Sequence, residues 1–79
     1  MSGTIIRFVL PAPGLVNLSV FDVAGRRVRV LQSGWLPAGR HEVFWDGRDE
    51  YGAGLGPGLY FGRLRSPGRA ATTRMAGLR

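Results

Sequence analysis

Few side chains in this sequence are equipped for chemistry, and their spacing excludes most of what they could do. His41 is the only imidazole. Nucleophilic or general acid–base work needs a partner beside it. The chain has no cysteine and no second histidine, so neither a Cys–His pair nor a tetrahedral zinc site of Cys and His ligands can be assembled. Asp46, Asp49 and Glu50 form the one acidic cluster. A calcium loop takes oxygen ligands at its first, third and fifth positions and glycine at its sixth. Laid from Asp46, that template puts Arg48 third and Tyr51 sixth, so a cation stands where a ligand is required. The expected role of the Asp side chains here is to cap the backbone amides of a turn. The stretch Gly52-Ala53-Gly54-Leu55-Gly56-Pro57-Gly58 fits no phosphate loop, because the glycine spacing fails at Pro57 or at Leu59. An extended segment follows it, which offers no helix N-terminus to an anion. No catalytic residue, metal or cofactor is expected.

All eleven cationic side chains are arginines, and the formal net charge is +6. Guanidinium suits phosphate and carboxylate recognition. The arginines are nevertheless spread from Arg7 to Arg79, with Arg26, Arg27 and Arg29 as the densest group. Without a groove-reading element such a charge supports only nonspecific attraction, so no specific nucleic-acid partner is expected. Asn17-Leu18-Ser19 matches a glycosylation sequon but falls inside a strand, where it carries little weight. No apolar run approaches the roughly 18 residues that span a bilayer. The opening residues also lack a basic segment leading into an apolar stretch, so an export address is expected elsewhere than in this chain.

The elements that must hold these residues are strands. Thirteen glycines and five prolines lie scattered between short apolar runs, as in a chain of frequent turns. Thr4–Leu10 alternates, with Ile6, Phe8 and Leu10 on one face, and Pro11 and Pro13 end it. Leu15–Phe21 alternates again, with Val16, Leu18 and Val20 on one face. Asp22-Val23-Ala24-Gly25 has the chemistry of a type I turn closed by a glycine bulge, and Arg26–Leu31 returns to complete a hairpin. A loop is predicted over 32–39, containing an exposed Trp35. His41, Val43 and Trp45 then share a strand face, with Trp45 buried and His41 partly so. Asp46–Gly52 reads as a turn, Leu59–Leu64 as a strand, Ser66-Pro67-Gly68 as a turn, and about 70–78 as a final strand. No segment sustains a 3.6-residue apolar period. The pattern predicts one all-β domain over residues 1–79, a small immunoglobulin- or fibronectin-III-like antiparallel sandwich of about seven strands.

Several of these segments, taken in order, carry a resemblance. They are Thr4-Ile5-Ile6-Arg7-Phe8-Val9-Leu10-Pro11, then Val16 to Arg26 continuing into Val28 and Leu31, then Gly39-Arg40-His41-Glu42-Val43-Phe44-Trp45-Asp46-Gly47-Arg48-Asp49. Gly58-Leu59-Tyr60-Phe61 with Arg63-Leu64 follows, and Arg74-Met75 leads to Leu78-Arg79. In this order the chain resembles the Ig-like domain of the bacterial flagellar hook-capping protein. It is also similar to modules at the C-termini of secreted bacterial proteins, some of them type IX secretion sorting domains.

The resemblance implies a scaffold with no catalytic residue to transfer. Asp22, Gly25, His41, Trp45, Asp46, Gly47, Asp49, Gly58 and Tyr60 are its structural motif. Trp45 would fill the space between sheets, and Tyr60 would join an apolar body to a hydrogen-bonding tip. The leading expectation is a C-terminal secretion, sorting or surface-attachment module of an exported bacterial protein. That module would meet a secretion apparatus at the cell surface or outside the cell. Arg74, Met75 and Arg79 would face the receptor on a final strand weakened at Ala76-Gly77. The alternative is a hook-capping domain whose partners are flagellar hook subunits. A third reading, a carbohydrate- or peptide-binding accessory module, requires Trp35, Phe44 and Tyr51 to form one aromatic platform.

Overall fold

The computed structural model describes residues 3–76. It contains six strands, β1 (Thr4–Leu10), β2 (Gly14–Phe21), β3 (Arg27–Leu36), β4 (Gly39–Trp45), β5 (Leu59–Ser66) and β6 (Arg69–Ala76). They form two antiparallel sheets, one of β1 and β4 and one ordered β3-β2-β5-β6. The all-β, Ig-like sandwich is thus as expected, with six strands rather than about seven among the described residues.

Alternation decides which face each strand buries. Ile6 and Leu10 of β1 turn inward, while Ile5 and Val9 stay exposed. Val16, Leu18 and Val20 of β2 are buried as well. The centre of the core is Val20, Trp45 and Tyr60, with Val28, Leu31 and Leu55 packed around it. Trp45 is fully buried. A side chain of this kind removes about 150–250 Å² from water, several kcal/mol at about 25 cal/mol per Å². It is therefore the main link between a sheet of two strands and a sheet of four.

Strand ends differ from the reading of the sequence by a residue or two at β2 and β5, and most at β3. The segment 32–39, predicted as a loop, is mostly strand, because β3 continues to Leu36 and pairs Trp35 with Leu15. Register shifts at Leu18/Ser19 and Val20/Phe21 let β3 carry extra residues against β2. Gly34, at φ 137°, takes a backbone angle that suits glycine. Trp35 is exposed as expected, but on a strand and not in a loop.

Candidate functional site

The acidic cluster lies in the connection that leaves β4. Gly47 turns the chain there with φ 80°, a conformation that costs an L-residue about 1–2 kcal/mol. Asp46 Oδ1 accepts the Arg48 N–H at 3.0 Å, and Asp49 Oδ1 accepts those of Tyr51 at 2.9 Å and Ala53 at 3.0 Å. Both carboxylates thus cap turn amides, as the sequence suggested. The connection is also stapled to its surroundings. Trp45 Nε1 donates to the Arg48 carbonyl at 2.9 Å, and the Leu55 N–H donates to the Gly47 carbonyl at 2.9 Å.

Arg29 and Glu50 do what the sequence reading missed. Arg29 reaches from β3 to bond Asp46 Oδ1 at 3.2 Å and the Arg48 carbonyl at 3.1 Å. The Glu50 N–H donates to the Val28 carbonyl, and the Glu50 carboxylate accepts the Val30 N–H. The loop therefore covers part of the free edge of β3, where unpaired backbone groups would otherwise invite another strand. Alternation placed Arg29 on a polar face, and nothing local to it marks a partner 17 residues away. Leu55 gave equally little signal, lying in a glycine-rich run, yet it packs on the core.

The hairpin turn follows the same chemistry. Gly25 has φ 84°, and its N–H donates to the Asp22 carbonyl at 3.0 Å. Asp22 Oδ1 accepts the N–H groups of Ala24 and Arg26, each at 3.0 Å, and Oδ2 pairs with Arg26 Nε at 3.1 Å. The Arg26 N–H chiefly lowers the Asp22 pKa, and the Arg26 guanidinium adds to this, against an opposing effect of desolvation.

His41 sits on the inner face of β4. Its ring stacks on Phe8 at 5.3 Å, and Nε2–H donates to the Pro37 carbonyl at 2.8 Å. The ring is thus engaged on one side by Phe8 and at Nε2 by a backbone carbonyl. Tyr60 packs edge-on to Trp45 at 5.6 Å and donates its hydroxyl to the Gly56 carbonyl at 2.7 Å. Gly58 ends that loop just before β5.

The structure thus brings Trp45, Asp46, Gly47, Asp49 and Tyr60 together around one core and one loop, sets Asp22 on the same depression as Asp49 and Tyr60, and leaves Gly25 at the hairpin turn. Trp35, Phe44 and Tyr51 form no shared platform. Trp35 lies beside Leu15 on the outer face of the four-stranded sheet, Phe44 beside Ile5 on the opposite sheet, and Tyr51 in the loop. Arg74 and Met75 lie in β6 opposite Phe61 and Tyr60. Arg79 lies outside the described residues.

Comparison with known proteins separates the two resemblances. The chain matches the family model of the FlgD Ig-like domain over residues 3–64. It is similar to the crystal structure of FlgD from P. aeruginosa, with a TM-score of 0.74 and 25% sequence identity, over 91% of this chain and 58% of that one. The chain therefore spans little more than half the length of that structure. No curated protein sequence matches it. These findings correct the leading expectation of a secretion-sorting module, since both point to the hook-capping protein, the alternative reading. The segments behind the resemblance are scaffold, whereas the C-terminal residues on which sorting was to depend lie beyond the matched segment. With its match running from β1 into β5, the chain belongs to the FlgD Ig-like domain family.

Proposed function

We propose that this chain is the Ig-like module of a flagellar hook-capping protein. In this role it is a structural element of hook assembly that contacts protein partners, hook subunits among them, and catalyses no reaction. Membership of the FlgD Ig-like domain family over residues 3–64 carries the reading. The chemistry of the side chains supports it. Asp46 and Asp49, the best candidates for acid–base work, are occupied as turn caps, and His41 is held between Phe8 and the Pro37 carbonyl. A folded block held by Trp45 and by a stapled loop suits a part that transmits position between neighbours.

Deletion of the coding segment for residues 3–76 from its gene tests the proposal. Electron microscopy of the resulting cells should show few or no hooks, and restoring the segment should recover them. Hooks of normal number and length in the deletion strain would overturn the reading.

A further inference from the structure

All five acidic side chains of the protein are already engaged. Asp22 bonds Arg26, Glu42 bonds Arg7, Asp46 bonds Arg29, Asp49 caps its turn, and Glu50 accepts the Val30 N–H. The surplus positive charge therefore has no internal carboxylate to meet, and part of it is gathered in one place. Asn17, Ser19 and Phe21 of β2 point away from the core on the outer face of the four-stranded sheet. Opposite them on β5 stand Arg65, Arg63 and Phe61, and Arg27 of β3 stands opposite Phe21. Arg27, Arg63 and Arg65 line one shallow depression of about 220 Å³ with Asn17, Ser19 and Phe21. All three arginines are exposed, and none forms an ion pair among the described residues.

We propose that this face is a docking surface for an extended acidic segment of a partner protein. Same-face residues two apart on a strand are separated by roughly 6.6–7 Å, so the guanidinium groups of Arg63 and Arg65 match carboxylates at alternate positions of an extended peptide. Each guanidinium offers a planar fork of donors that takes a carboxylate through two bonds. Phe61 continues the same row on β5, so the complementary segment carries two acidic residues and then an apolar one, each separated by one residue. Arg27 approaches from the other side of β2, about 10 Å away at the usual strand spacing, and would hold a third carboxylate. Ser19 is buried at the floor and donates to Asn17 Oδ1 at 2.6 Å, which fixes that amide beneath the arginines. Phe21 and Phe61 are half-buried and do not stand clear as the stacking platforms that bind single-stranded nucleic acid. The inference stands on the charge and spacing of the face, and does not depend on the flagellar role.

Fluorescence anisotropy tests it with the whole chain and a labelled peptide carrying glutamates at alternate positions followed by leucine. A peptide with glutamines in place of the glutamates and a single-stranded oligonucleotide serve as comparisons. The acidic peptide should bind in a salt-sensitive manner, and the glutamine peptide should not. The double variant Arg63→Glu, Arg65→Glu should weaken binding by at least about tenfold, through loss of two charge pairs and added repulsion. Its circular dichroism should be unchanged. Arg40→Glu, at an exposed arginine on β4 of the other sheet, should bind nearly as the parent does. Equal weakening by Arg40→Glu would reduce the effect to net charge and overturn the proposal. It would also be overturned by no peptide binding, or by an oligonucleotide binding more tightly through the same two arginines.

Discussion

At the scale of single residues, Trp45 has the largest share in the fold. Its ring fills the space between the sheets, and its indole N–H holds the Arg48 carbonyl. Trp45→Ala should cost about 3–5 kcal/mol, comparable with the whole stability of a small domain, about 5–15 kcal/mol. Urea titration followed by circular dichroism measures the loss. Trp45→Phe retains part of the ring packing and loses the hydrogen bond, so its cost should be smaller. Because Trp35 is 62% exposed and Trp45 0%, acrylamide should quench the fluorescence left in Trp45→Phe far more readily than that left in Trp35→Phe. Asp22 gives a prediction with a sign. Its folded-state pKa lies below the ordinary 3.8, so the stability that it adds is complete above that value and is lost as pH falls through the lower one. Asp22→Asn should remove this part of the acid dependence, read from urea midpoints across an acidic pH series.

At the scale of elements, the connection between β4 and β5 is the part whose order depends most on individual polar contacts. It has no strand of its own beyond a single bridge between Arg48 and Gly54. It is held by Arg29, by the caps on Asp46 and Asp49, and by Leu55 against the core. Arg29→Met keeps much of the packing stem and removes the guanidinium bonds. Hydrogen bonds to charged groups contribute about 1.5–3 kcal/mol when a partner is lost from a partly buried site. Hydrogen exchange should therefore accelerate at the amides of Asp49, Glu50 and Leu55, which bond Ala53, Val28 and Gly47. The amides of the β2–β5 ladder should change little. Equal acceleration in both regions would mean that the loop and the sandwich open as one unit.

At the scale of the whole molecule, the two sheets are joined through side chains and connections, with no ladder running between them. The pairings of β1 with β4 and of β2 with β5 bring together residues far apart in the chain. Both features favour a single cooperative transition and a slow search for non-local contacts. Unfolding curves from Trp45 fluorescence and from far-UV circular dichroism should coincide. Refolding in stopped flow should fall in the millisecond-to-second range expected of sandwiches of high contact order. Two separated transitions would show that the four-stranded sheet survives without β1 and β4.

Local pattern alone determined a good deal of this protein. Period-two alternation located five of the strands closely, and Asp22 with Gly25 marked the hairpin, because both signals depend on residues adjacent in the chain. The buried Trp45 and the capping role of Asp46 and Asp49 were legible for the same reason. The tertiary structure decided what depends on distant residues. Register shifts against β2 carried β3 on to Leu36. The fold set Arg29 against Asp46 and Leu55 against the core, and separated Trp35 from Phe44 onto opposite sheets. It also gathered Arg27, Arg63 and Arg65 on one face, although in sequence they belong to a dispersed charge. Strand order and pairing set these neighbours, and no short stretch of residues encodes them.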